Sequence, residues 1–468
     1  MKMLLACAAM AVVLAATGPG AVAAETGAAG TGAADMSLRA DIAKDYDARL
    51  KDLYIHFHQN PELSFRETKT AARLAKELRA LGIQVTEGVG QTGVVGVLRN
   101  GEGPTVLIRA DMDGLPVEEK SGLPYASKVR QVDMNGKEMP VMHACAHDTH
   151  VTALIGTARQ LAARKNQWKG TVVFVGQPAE ERLLGAKAML EDGLFTRFPK
   201  PDYLLALHVA AGLPAGKIWL EPGPGFASAD SVDIIVHGVG AHGASPHLGK
   251  DPIVIGAQIV MALQTLVSRE ISPTHPGVVT VGAFQSGLKH NIISDRAELQ
   301  LSVRSDQPAV REKLLEGIKR IAVNAGRMAG LPEDKLPEVR VGFESTPSTY
   351  NDPVLTARVR QAIGKQLGKE ALLSMPRDGM GSEDFAFFTS TEHKIPGSYF
   401  MVGGTPHHEV EQMMAGKMIV PSNHSPFMKI EPEPSIKAGV EAMTAAALDL
   451  LSNAKPKGET TNGAVSGE

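Results

Sequence analysis

Three apolar runs, at 105–108, 171–175 and 203–207, each lead straight into acids or a histidine: Arg109-Ala110-Asp111-Met112-Asp113, Gln177-Pro178-Ala179-Glu180-Glu181 and His208. None of the runs alternates apolar with polar residues, which is the mark of strands buried on both faces. Helical patterns separate them. Residues 67–81 carry Ala71, Leu74, Ala75, Leu78 and Leu81 at helical spacing and stop at Gly82, and a helix opening at Asp148-Thr149-His150 carries Ala153, Leu154, Ala158, Leu161 and Ala162 on one face. Doubly buried strands alternating with helices predict an α/β domain whose mostly parallel sheet is covered by helices. Ligands of such sheets bind at the carboxyl ends of the strands. The polar clusters should therefore converge on one cleft, joined by MHACAHDTH at 142–150, which follows the short apolar Met139-Pro140-Val141.

The pattern changes near Ser228. A strand at 231–237, a helix opening at Asp251-Pro252, strands at 278–284 and 297–303, a helix from Gln307-Pro308 through Ala329 and a strand at 338–343 follow in turn. The order β-α-β-β-α-β predicts a ferredoxin-like α+β module. Residues 228–344 read as this second domain, inserted between catalytic segments 36–227 and 345–452. The second segment contains a helix from Asp352, a helix opening at Ser382-Glu383-Asp384, a strand at 398–402 and a helix at 434–451.

Lys2, the apolar run 4–16 and the small residues Ala21-Val22-Ala23 read as a signal peptide ending at 23. Leu4-Leu5-Ala6-Cys7 superficially resembles a lipoprotein box, but too little chain precedes Cys7 to hold a hydrophobic region. Residues 24–35 are expected to be a flexible leader and 453–468 a disordered tail. No later run is expected to cross a membrane, so the mature chain should be soluble and either periplasmic or secreted. A net charge of −3 over 468 residues favours neither nucleic acid nor an anionic membrane as partner. Signal removal leaves Cys145 as the only cysteine. An oxidising compartment makes a lone thiol a liability, and metal ligation would protect it.

His143, Cys145, His147 and Asp148 are four potential metal ligands within six positions, and thiolate and imidazole on alternate residues beside a carboxylate suit a borderline-soft divalent metal. The pair Glu180-Glu181 can divide its work, one carboxylate binding metal and the other moving a proton. Cys145, His147, Glu181, His208 and His424 offer five ligands. If one bridges, two ions each have three protein contacts and the open positions of a catalytic site. Two such ions can share a water and lower its pKa toward neutrality, leaving Glu180 to take its proton. Zn, Mn, Co and Ni all accept this ligand set. Asp113 suits the orientation of a ligand imidazole. In the inserted domain, His242 is flanked by glycine and alanine and could hydrogen-bond an oxyanion. Arg304 could hold a substrate carboxylate through its planar fork, with Asn291 in the same domain. Each residue also has a plainer reading: Asp111 and Asp113 as turn caps, His208 as a core histidine, Cys145 as a small buried hydrophobe, Arg304 as an exposed strand end.

RADMDGLP at 109–116, MHACAHDTH at 142–150, QPAEE at 177–181, ALHV at 206–209, GAHGASPH at 240–247, GSEDF at 381–385 and HSPF at 424–427 occur in this order. From about 46 to 451 the chain resembles the aminoacylase, hippurate hydrolase and indole-acetyl-amino-acid hydrolase family of two-metal amidohydrolases and metallo-carboxypeptidases. The resemblance implies a catalytic domain with an inserted lid that dimerises. It implies metal ligation by Cys145, His147, Glu181, His208 and His424, Glu180 as general base, and Asp113 behind the metals. It places His242 near the scissile carbonyl, within its own chain or from a partner subunit, and Ser382 as a helix cap beside the site. Ala146 replaces the family's usual glycine, Arg182-Leu183-Leu184 replaces a Gly-rich stretch, and Ser294 stands where proline is common.

The expected activity is release of a free amino acid from an N-acyl amino acid or short peptide. Two other readings stay open: a hydrolase using Cys145 as nucleophile beside a histidine, and an exported metal- or solute-binding protein without turnover.

Overall fold

The computed structural model describes residues 35–377, 379–389 and 393–452; the expected signal peptide, nearly all of the expected leader and the expected tail lie outside them. An eight-stranded sheet runs in the order Gln84–Val89, Gly93–Asn100, Gly170–Gln177, Thr105–Asp111, Tyr203–Pro214, Gly397–Thr405, Ile218–Trp219, Leu372–Leu373. The four strands from Gly170–Gln177 to Gly397–Thr405 are mutually parallel, with antiparallel neighbours on each side.

Successive side chains of these strands enter different cores, which is why the sequence runs are apolar without alternation. Val106, Ile108, Val172, Phe174, Leu205 and Leu207 pack under the helices Lys51–Gln59, His147–Ala163, Pro353–Leu367 and Pro432–Ser452. Leu107, Val173, Val175, Leu204 and Ala206 face the opposite core with Met189, Phe385 and Phe388. Each such valine, leucine, isoleucine, methionine or phenylalanine side chain stabilises the fold by about 1.5–3 kcal/mol when fully buried.

A separate antiparallel sheet has the order Gly277–Ser286, Arg296–Ser305, Ser228–His237, Glu338–Thr346. Ala297, Leu299, Leu301 and Val303 point to the side covered by the helices Pro252–Thr265 and Pro308–Met328. This is the ferredoxin-like strand order. The helical stretch Pro252–Glu270 is long and apolar enough to cross a membrane by composition, contrary to the sequence reading. Part of that apolar character is explained by Ile255, Ile259, Leu263 and Leu266, which are buried against the module's own sheet.

Three local expectations are corrected. The strand holding His208 continues to Pro214, so this histidine lies within a strand rather than at its end. Glu138–Pro140 pairs only with Arg130–Val132, in a hairpin apart from the main sheet; the MHACAHD segment reaches the cleft as the approach to a sheet-covering helix. The helix expected at Ser382 begins at Ala386. The side chains that would cap it are committed elsewhere: the Ser382 hydroxyl accepts from Arg304, while Glu383 and Asp384 accept from Arg109.

Candidate metal centre

Backbone geometry at two residues turns ligands inward. Ala146 has φ +65° and sits immediately before the helix His147–Ala163, so Cys145 and His147 are presented on either side of a sharp turn. His424 has φ +71°, and its N–H donates to the Ala144 carbonyl at 2.7 Å, fastening the two loops together.

Cys145 Sγ lies 3.3 Å from His208 Nε2, and His208 Nδ1 donates to the Val209 carbonyl at 2.7 Å, which leaves Nε2 as the free ligand atom. Glu181 Oε2 lies 3.4 Å from His424 Nε2. Three overlapping groups each have their ligand atoms within 4.8 Å of one another: Cys145, His147 and His208; Cys145, Glu181 and His424; His147, Glu180 and Glu181. The five expected ligands thus form one cluster, drawn from four separate segments. All are buried or half-buried except His424, which is exposed.

The cluster fits divalent cations. Both ring nitrogens of His147 and Oε1 of Glu181 are buried without a hydrogen-bond partner among the described residues. Such atoms each cost about 1–3 kcal/mol unless something binds them. Burial, together with the charges of Glu383 and Glu181, pushes the Glu180 carboxyl far above its usual range; burial also pushes Glu181 up to about 8 and the Cys145 thiol well up. The Glu181 carboxyl and the Cys145 thiol, which cling to protons here and would exchange them for a dication, suit a metal site's donor set.

The sequence model of peptidase family M20/M25/M40 matches residues 107–449. The chain belongs to this family. It is a metallo-amidohydrolase or metallo-carboxypeptidase acting on linear amides. Thermostable carboxypeptidase 2 of Saccharolobus solfataricus is 40% identical over 74% of this chain and 83% of its own length. Hippurate hydrolase of Campylobacter jejuni is 37% identical over 75% and 88%. Among solved structures, a dinuclear metal-binding M20 peptidase from Bacillus subtilis superposes with a TM-score of 0.69 at 29% identity, covering 87% of this chain and 99% of that one.

Around the M20 cluster, Asp113 occupies a more central place than an imidazole support. Its Oδ1 lies 3.4 Å from His147 Nδ1, and its two oxygens accept the N–H groups of Glu180 and Glu181, each at 3.1 Å. Two histidines and an acid of MHACAHDTH lie outside these three groups. His150 Nδ1 donates to Asp111 at 2.5 Å while its Nε2 accepts the Val209 N–H at 2.8 Å. Asp148 pairs with His58 at 2.7 Å. His143 is buried, and neither ring nitrogen has a partner among the described residues.

Sequence reasoning did not single out Arg109 or Glu383. Arg109 is fully buried and donates to Gln177, Asp111, Glu383, Asp384 and Tyr399, tying the RADMD strand to the GSEDF segment beneath the cluster. The only sequence signal was a charged residue inside an otherwise buried strand, whose partners lie far along the chain.

A cavity of about 620 Å³ opens over the cluster, lined by Cys145, Glu180, Glu181, His208 and His424 and bordered by Arg304. Arg304 donates to the Ser382 hydroxyl at 2.6 Å. His242 and Asn291 do not line this cavity within the single chain. They sit at a small exposed two-stranded antiparallel sheet of the inserted module, where His242 Nδ1 accepts the Ala244 N–H and the Asn291 carbonyl accepts from Gly243.

Proposed function

We propose that the chain is an exported amidohydrolase that releases the amino acid from N-acyl amino acids or short peptides, with Glu180 as general base and acid. The names of the relatives, a carboxypeptidase and a hippurate hydrolase, support that substrate class. The observation that carries the role is the split of the carboxylate pair. Glu181 reaches both Cys145 and His424 in the ligand groups, whereas Glu180 joins neither of those residues and faces the cavity. Cys145, His147, Glu181, His208 and His424 would hold two divalent ions. When bound, these would polarise the amide carbonyl and acidify the attacking water.

Glu180 is placed to take the proton from that water and return it to the departing amine. Arg304, at the cavity edge, suits the carboxylate of the amino-acid half. A homodimer through the inserted module is supported by its exposed apolar residues, Val254 and Met261 on the helix and Phe284 on the edge strand, and would offer His242 a route to a second copy's cleft.

Glu180→Gln should keep two metal ions per chain, measured by elemental analysis, and lose at least about 10³-fold in kcat on N-benzoyl and N-acetyl amino acids. Near-normal turnover sinks the assignment. Chelation should abolish wild-type activity reversibly; activity that survives chelation but not thiol alkylation would instead make Cys145 a nucleophile.

A further inference from the structure

Glu67 is fully buried in the turn that precedes the helix Thr68–Arg79, outside the ligand cluster. Its Oε1 accepts two backbone N–H groups, from Phe65 at 2.9 Å and from Ala179 at 2.8 Å, and its Oε2 accepts the Thr92 hydroxyl. The two backbone donors share an uncommon conformation. Phe65 has φ +59° and Ala179 φ +48°, the left-handed region that residues with a Cβ avoid. Such geometry persists only where surrounding contacts over-determine it. One carboxylate oxygen is the common tie of both strained positions.

Ala179 is followed directly by Glu180 and Glu181, whose N–H groups are accepted by Asp113. Two buried carboxyl groups therefore accept three consecutive N–H groups, and they fix the turn from which the catalytic pair projects. We propose that Glu67 is a positioning residue for the hydrolysis: it holds Ala179 in the left-handed turn that aims Glu180 into the cleft, touching neither substrate nor metal. This rests on Glu180 being the base. Burial, with the charge of Asp113, pushes the Glu67 carboxyl up to about 8, so glutamine closely resembles its neutral form.

The test compares Glu67→Gln, Glu67→Ala and Glu180→Gln, each loaded with manganese(II), for folding by circular dichroism, ions per chain, and kcat and KM on N-benzoylglycine. Glu67→Ala should bind two ions and hold KM within about twofold while kcat falls about 10²-fold, the scale of a small misplacement of a catalytic group. Glu67→Gln, which keeps the acceptor oxygen, should stay within about threefold of wild type. Wild-type kcat in folded, metal-loaded Glu67→Ala overturns the role, as does equal impairment of Ala and Gln variants. If the alanine variant does not fold, Glu67→Asp replaces it, since the shorter side chain withdraws the oxygen; unchanged kcat there overturns the role too. An active Glu180→Gln overturns the base assignment instead, whatever Glu67 does.

Discussion

His58 is held between two carboxylates, with Nδ1 2.7 Å from Asp148 and Nε2 3.0 Å from Glu119. Burial alone would lower its pKa, but its hydrogen bonds to the carboxylates of Asp148 and Glu119 prevail and raise it to about 9. The folded value exceeds the unfolded one, about 6.5. Its contribution is therefore fully present below pH 6.5 and lost as pH rises through about 9. Unfolding free energy should fall across that window with a slope of up to about 1.4 kcal/mol per pH unit, and His58→Gln should flatten it. Denaturant titrations of both proteins at several pH values check this; equal slopes contradict it. Asp148 stood out in the sequence as a potential metal ligand and as the opening of a helix. Its actual partner is 90 residues away, so no local pattern marked its structural duty. The five candidate ligands could be picked out together because thiolate, imidazole and paired carboxylates are rare together and announce their chemistry by type.

At the scale of elements, the helix His147–Ala163 shows two residues under opposite constraints. Ala146 precedes it in a left-handed conformation, φ +65°, where a Cβ is a burden. Ala146→Gly should raise stability by about 0.5–1 kcal/mol, the relief of that strain less the added freedom of the unfolded chain. Gly156, on the buried face, meets the C-terminal helix so closely that a Cβ would lie 2.5 Å from Val440 Cγ2 and 3.1 Å from Leu50 Cδ1. Valine is branched at Cβ and yields little, so Gly156→Ala should cost about 1–2 kcal/mol despite alanine's better helix propensity. Thermal unfolding of the two variants should move in opposite directions. The helix was legible from its apolar period, and Gly156 was not, because close approach is a property of two helices together. The misplaced GSEDF helix failed for a related reason. Ser382, Glu383 and Asp384 look like capping residues, but the half-buried Arg304 and the buried Arg109 claim their oxygens.

For the whole molecule, the open question is what covers the inserted module's outer face. Met261 is 72% exposed, and Phe284 and Val278 stand on an edge strand with one side unpaired among the described residues. Burying an edge strand and an apolar helix face against a second copy would remove both liabilities. Sedimentation should give a dimer for the wild type and a monomer for Met261→Glu with Phe284→Glu, with the ligand cluster still able to bind metal; a wild-type monomer contradicts lid-mediated pairing. The chain's own sequence determined which residues are candidates for metal and proton chemistry, that the core strands are buried on both faces, and that a ferredoxin-like module interrupts them, because residue type and periodicity are local properties. Tertiary structure alone decided that Cys145 meets His208, that Arg109 joins RADMD to GSEDF, and that Glu67 and Asp113 grip the Glu180-Glu181 turn. Those meetings depend on which strands become neighbours and on a few left-handed backbone turns, neither of which leaves a periodic trace in the sequence.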